Sequence, residues 1–261
     1  MLVCPKCKGL LQKNGSSYIC EEHHCFDIAK RGYVNLLLGN HKTSGDDKEM
    51  IIARTRFLSH GYYQPLCDRL IEIVKELHPT SLVDAGCGEG FYTNQITKAL
   101  QDCEVYGFDL SKHGVDEACK AHTSAVYGVA NVFHLPLADA CADVVLSVFA
   151  PFDEEECARV LKEHGVFIKV GPGPQHLMDM KNVLYEEVYE NEKSERLQSM
   201  FTFEEEYYVD YETCIDGHDD IWALFQMTPY FWKSPKEGSD RLRELQQLST
   251  RVQFHIEVYR K

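Results

Sequence analysis

Between residues 81 and 93 the chain reads Ser81-Leu82-Val83-Asp84-Ala85-Gly86-Cys87-Gly88-Glu89-Gly90-Phe91-Tyr92-Thr93. A short apolar run enters a loop with glycine at every second position and leaves as an amphipathic segment. That order demands a strand, a tight turn and a helix start. Gly86, Gly88 and Gly90 let the backbone approach a ligand closely, with the helix N-terminus behind it. Asp84 precedes the loop. Asp109 ends the next apolar run, 19 residues beyond Gly90, where a carboxylate reaches the ribose hydroxyls of a bound nucleoside.

The surrounding pattern sets the fold class. Helical spacing covers 48–78, with a break expected near Gly61 and Pro65. Strands are expected at 81–85, 104–109, 125–130, 143–149 and 165–170, alternating with helices at 91–101, 112–121 and 153–162. Apolar strands alternating with helices give a parallel sheet covered on both faces. Helices are expected at 175–191 and 217–227, and period-two runs at 200–214 and 251–260 add antiparallel edge strands. The expectation is an α/β, Rossmann-like, seven-stranded class I methyltransferase fold that binds S-adenosylmethionine. A dinucleotide dehydrogenase is the rival. It would more often carry G-x-G-x-x-G on its first strand near the chain start, whereas this loop is G-x-G-x-G and follows a helical segment.

Other residues fall at the same carboxyl edge. Asn131 follows the third strand, where an amide could read an adenine ring or simply close a turn. Ala150-Pro151-Phe152 ends the fourth strand. Gly171-Pro172-Gly173-Pro174-Gln175-His176 follows the fifth, and His176 could cap a helix or reach the cofactor carboxylate. Tyr92, Phe149 and Phe152 are candidate stacking surfaces. No residue stands out as a catalytic base.

The N-terminus carries a second constellation, Cys4-x-x-Cys7 and then Cys20-x-x-x-His24. Zinc prefers four soft or borderline ligands in a tetrahedron, and a two-residue gap lets one tight turn present two thiolates. His23 and Cys25 flank His24 as rival fourth ligands, but a one-residue shift would turn the side chain away. A redox pair is the alternative to zinc. Eleven cysteines, an odd number without an export signal, favour thiols and a metal site over disulfides. The division expected is a zinc-binding RNA-recognition module over 1–35, a linker and helices over 36–78 with 36–48 as a mobile loop, and a methyltransferase domain over 79–261.

Charge is uneven. Residues 1–60 carry nine Lys/Arg and six Asp/Glu, whereas 61–261 carry eighteen and thirty-five. The asymmetry puts any RNA-facing surface near the N-terminus, because phosphate contacts dominate RNA affinity; the alternative is a mildly basic zinc module beside a solvated acidic surface. No run is long and apolar enough for a membrane span, and cytoplasmic residence is expected.

Taken together, Cys4-Pro-x-Cys7, Tyr18-Ile-Cys20, His24-x-Phe26-Asp27, Lys30-x-Gly-Tyr33-Val-Asn35, Tyr63-Gln-Pro65, the glycine loop, Ala150-Pro151, Gly171-Pro-Gly-Pro-x-His176 and Gln226-Met-Thr-Pro229 resemble the bacterial 23S rRNA guanine-N1 methyltransferase family over nearly the whole chain. The resemblance implies zinc on Cys4, Cys7, Cys20 and His24. It implies cofactor contacts from Tyr63, Tyr92, Thr93 and His176. It also implies a homodimer whose paired zinc modules hold hairpin 35 of 23S rRNA, and methyl transfer to N1 of a loop guanine there. Some members confer resistance to tylosin-type macrolide antibiotics. The chain departs from the family at 161–165, Leu-Lys-Glu-His-Gly, where a Lys-Pro-Gly-Gly turn is usual. A small-molecule, quinone-type methyltransferase and a non-catalytic rRNA-binding resistance or assembly factor are the alternative readings.

Overall fold

The computed structural model describes residues 1–39, 46–193 and 195–261. Of the loop expected over 36–48, residues 40–45 lie outside the described residues, and its last residue, Lys48, already opens the first helix. Strands β1 (Gln12–Asn14), β2 (Ser17–Ile19) and β3 (Cys25–Asp27) form a three-stranded antiparallel sheet, and β4 (Val34–Asn35) follows. Helices α1 (Lys48–Ser59) and α2 (Gln64–Glu76) come next. Gly61, at φ 80°, lies between them, and Pro65 sits in the first turn of α2, where its missing N–H costs nothing.

The alternating region then runs β5 (Ser81–Ala85), α3 (Phe91–Ala99), β6 (Glu104–Asp109), α4 (Lys112–Ala118), β7 (Val126–Val129), β8 (Ala142–Val148), α5 (Glu154–Val160) and β9 (Leu161–Pro172). The chain ends with α6 (Met178–Leu184), β10 (Thr202–Asp216), α7 (His218–Gln226), α8 (Tyr230–Lys233), α9 (Lys236–Glu244) and β11 (Gln247–Arg260). The sheet order is β10-β11-β9-β8-β5-β6-β7-β4. Strands β4 to β9 pair in parallel, while β11 and β10 add antiparallel. Neighbouring strand residues face opposite ways. Leu82, Val144, Ile168 and Val258 therefore pack with Phe57, Leu66 and Leu70 on one face. Val83, Val145, Phe167 and Tyr259 pack on the other.

All seven expected strands are present as β5 to β11. The eighth, β4, comes from the end of the N-terminal module and pairs Val34 and Asn35 with Gly128 and Val129 of β7. Two residues are too few to show a period, so only docking reveals this strand. The module is anchored a second time where Val3 N–H donates to Pro136 O at 2.9 Å and Ala138 N–H to Met1 O at 3.0 Å. Leu2, Leu11, Val34 and Leu36 share a core with Tyr106, Phe108, Leu135 and Leu137.

Two expectations need correction. The helix expected over 175–191 is α6 and ends at Leu184. Arg241 Nε donates to Val183 O at 2.9 Å, and Gly238 lies so close to Leu184 O that a Cβ there would sit 2.0 Å from it. These contacts come from α9, which has only Gly238 and Leu242 buried and so little apolar pattern to read. The fifth strand also starts early, at Leu161. The atypical 161–165 stretch lies inside β9, with His164 at φ 61°.

Candidate functional site

The glycine loop turns through three left-handed residues, Gly86 at φ 93°, Gly88 at 53° and Gly90 at 79°. Only glycine occupies such positions without strain. The N–H groups of Gly86 and Cys87 both donate to Phe108 O, at 2.8 and 3.0 Å. Gly88 N–H donates to Asp109 Oδ2 at 2.9 Å and Ser111 N–H to Oδ1 at 2.7 Å. Asp109 thus holds the loop while each oxygen keeps acceptor capacity. Thr93 Oγ1 donates to Asp84 Oδ2 at 2.5 Å, whereas Oδ1 is buried without a partner. Burial pushes the Asp84 carboxyl up to about 7 and raises that of Asp109.

The loops after β5 and β8 meet where the strand order reverses, the crevice in which open α/β sheets bind ligands. Tyr63, at the start of α2, reaches this edge beside His176 from the loop after β9. Gln253 N–H donates to His176 Nδ1 at 3.3 Å, so the ring proton lies on Nε2 and faces Tyr63 Oη at 3.5 Å. Burial depresses His176 to about 3, so it stays neutral. Tyr92 opens α3 with its ring edge-on to Phe91 at 5.0 Å. Asn131 closes a turn, its Oδ1 accepting from Phe133 N–H at 3.1 Å, which leaves its amide donors available.

Sequence reasoning missed several residues here. Arg54 of α1 lies over the loop, 2.5 Å from Asp46 and 3.8 Å from Glu89. Its NH1 would be 3.2 Å from a Cβ on Gly88. Glu89 Oε2 is buried without a hydrogen bond. Asn191 ties down the loop before α6, its Nδ2 donating to Gly173 O at 3.0 Å and His176 O at 3.1 Å. Arg54 sits on an ordinary amphipathic helix and Asn191 in an acidic stretch, so neither carries a local signal. An open cleft of about 300 Å³ between α1 and α7, lined by Ile52, Arg56, Asp219 and Trp222, stands apart from this constellation.

At the N-terminus one ligand atom each from Cys4, Cys7, Cys20 and His24 lies within 4.8 Å of all the others. His24 Nδ1 is 3.5 Å from both Cys4 Sγ and Cys20 Sγ, and Cys7 Sγ is 3.5 Å from Cys20 Sγ. Zinc bonded tetrahedrally at about 2.3 Å to sulfur and about 2.1 Å to nitrogen needs separations of roughly 3.5–3.8 Å, so the donor set fits zinc. His23, at φ 59°, and Cys25, paired in β3, stay outside the cluster.

At the loop, the orphaned Asp84 oxygen, the acceptor capacity left on Asp109 and the left-handed glycines fit a nucleoside cofactor. Residues 2–45 match the zinc ribbon described as RlmA, N-terminal, and 83–169 match a methyltransferase domain. The cofactors are accordingly S-adenosylmethionine and zinc. The chain resembles the YcgJ protein of Bacillus subtilis in fold, with a TM-score of 0.52 and 16% identity over 77% of this chain and 99% of that one. The 23S rRNA (guanine(748)-N(1))-methyltransferase of Streptomyces fradiae is 33% identical over 253 residues, 94% of this chain and 90% of its own. YxjB of Bacillus subtilis (strain 168), which bears a provisional designation as a 23S rRNA (guanine-N(1)-)-methyltransferase, is 33% identical over 273 residues, 98% of this chain and 95% of its own. Similarity that runs unbroken through zinc ribbon and methyltransferase domain shows that the chain belongs to the 23S rRNA (guanine-N1) methyltransferase family.

Proposed function

We propose that this chain methylates N1 of a loop guanine in hairpin 35 of 23S rRNA, working as a homodimer whose paired zinc modules flank the RNA. In this reading residues 1–35 recognise RNA, 36–78 are a linker and helices, and 79–261 carry the chemistry. The observation that carries it is the welding of a zinc ribbon to the sheet edge, through β4 on β7 and Val3 on Pro136. A small-molecule methyltransferase has no use for a metal module fixed at that edge. An RNA enzyme needs a rigid, basic platform beside its pocket.

S-adenosylmethionine, when bound, supplies a methyl group already activated on a sulfonium. The chain's residues supply alignment; as the N1–methyl bond forms, S-adenosylhomocysteine is the leaving group and the N1 proton of guanine passes to water. Gly86, Gly88 and Gly90 admit the cofactor, Asp109 offers acceptors to its ribose hydroxyls, and Asp84 with Thr93 holds the loop from below. Asn131 offers amide donors to its base, while Tyr63, Tyr92 and His176 line its other end. His176 is positioned to orient rather than to take a proton, because Nδ1 is occupied and the ring stays neutral. The target base must be lifted from its stack to reach the pocket, which a hairpin loop makes cheap.

The test is transfer of a tritiated methyl group to ribosomal RNA from a strain lacking the enzyme, mapped by reverse-transcription stops. One stop in hairpin 35 is expected. Absence of label from large-subunit RNA would overturn the assignment.

A further inference from the structure

Phe149 holds a backbone conformation rare for an aromatic residue. Its φ is 53°, in the left-handed region where Cβ crowds the backbone. Its N–H is fixed to Val170 O at 3.0 Å, so the crossover out of β8 imposes the geometry. Ala150, the next residue, abuts Gly86 of the cofactor loop. Phe149 therefore stands where the strand order reverses.

Packing does not explain a phenylalanine here. The residue is 47% exposed. The inner side of its ring meets His176 at 6.2 Å and Phe254 at 5.7 Å, and the rest faces solvent. A turn needing positive φ is served at lower cost by glycine or asparagine. Strain of this kind concentrates at functional sites. The other two aromatic candidates at this edge are committed elsewhere. Phe152 packs on Phe167 at 5.0 Å beneath Lys169, and Tyr92 is half-buried against Phe91.

We propose that Phe149 is the base-stacking residue of the enzyme, its open ring face receiving the purine lifted out of the RNA loop. The inference rests on the RNA-guanine reading above and adds the surface that orients the target base. Stacking on an aromatic ring fixes the plane of a purine without reading its edge. The base is thereby held flat beside the methyl donor while its Watson–Crick edge stays free to react.

The test compares Phe149→Ala, Phe149→Gly and Phe149→Tyr with wild type. Four quantities are read: kcat and KM on a hairpin transcript, S-adenosylhomocysteine affinity by calorimetry, and melting temperature. The alanine and glycine variants should lose about 10- to 100-fold in kcat/KM for RNA, the usual worth of one stacked base. Their S-adenosylhomocysteine affinity should be unchanged, and the tyrosine variant should keep its activity. Phe149→Gly, relieved of the left-handed strain, should melt at or above wild type. Full RNA activity in Phe149→Ala overturns the proposal. A matching loss of S-adenosylhomocysteine affinity also overturns it, since the ring would then be a cofactor wall. A lower melting point in Phe149→Gly, with activity falling in step, makes the ring a packing residue and overturns it too. A wild-type protein that labels no RNA removes the function reading itself, and the proposal with it.

Discussion

Gly86 and Ala150 touch so closely that a Cβ added to Gly86 would lie 2.2 Å from the Cβ of Ala150. This contact joins the loop after β5 to the loop after β8 at the crevice where the strand order reverses. Gly86→Ala adds that collision to an unfavourable φ of 93°. Left-handed strain and overpacking together should cost roughly 2–5 kcal/mol. Urea unfolding and calorimetry with S-adenosylhomocysteine should show a less stable protein that binds weakly or not at all. Wild-type stability with wild-type affinity would show that the two loops can part.

Metal removal should separate the module from the catalytic domain. Structural zinc contributes on the order of 10–16 kcal/mol to the folding of small modules, and few apolar residues of 1–35 could replace it. Cys20→Ala should abolish bound zinc and RNA methylation while S-adenosylhomocysteine binding persists, because the face of the sheet that packs on α1 and α2 has a core free of module residues. His23→Ala and Cys25→Ala should retain the metal. Elemental analysis and limited proteolysis of the N-terminus check this. Full zinc occupancy in Cys20→Ala would disprove the ligand set.

Arg54 is the cation set among Asp46, Glu89 and Asp109 at the glycine loop. Arg54→Ala leaves those carboxylates to repel one another, and breaking a buried pair costs about 2–5 kcal/mol. The cofactor KM should rise at least tenfold, by roughly 1.4 kcal/mol or more, with the fold intact by circular dichroism. An unchanged KM would mean that Arg54 only covers the loop.

The free protein should show two opposite pH dependences. The folded Asp84 carboxyl titrates near 7, pushed up by burial, against about 3.9 when unfolded. The folded state then binds the proton more tightly, so this contribution is full below about pH 4 and is lost as pH rises through about 7. Asp84→Asn should flatten that part of the urea-midpoint profile, and an unaltered profile would refute the assignment. Asp143 works the other way. Burial opposes its ionisation, but Lys162 and the donors of Thr80 and Ser81 outweigh it and hold the carboxyl low. Its contribution is present above about pH 4 and is lost as pH falls. Asp143→Asn should therefore destabilise at neutral pH and lose its effect in strong acid.

The pattern of residues 81–170 was readable in advance because its strands are short, mainly apolar runs separated by polar or glycine-containing stretches; only the polar start of β9, Leu161 to Gly165, escaped it. The same holds for the metal cluster, whose spacing brings Cys4, Cys7, Cys20 and His24 together through two local turns. Residues 175–191 misled for the converse reason. Helical character was present, yet Arg241 and Gly238, more than fifty positions away, end α6 at Leu184.

From local order alone, then, come the alternating sheet, the glycine loop with its carboxylates Asp84 and Asp109, and the zinc quartet. Each is announced by local spacing, the alternate glycines of 86–90, the apolar runs that carry Asp84 and Asp109, and the pairs Cys4–Cys7 and Cys20–His24, although the folded chain brings those pieces together across 13 to 21 positions. Tertiary packing alone decided that Val34 and Asn35 extend the sheet, that Arg54 covers Gly88, that Asn191 fixes the His176 loop, and that Phe149 rather than Tyr92 or Phe152 shows an open ring. Those relations join elements distant in sequence, and burial and hydrogen-bond satisfaction select them only once the sheet has brought its carboxyl ends together.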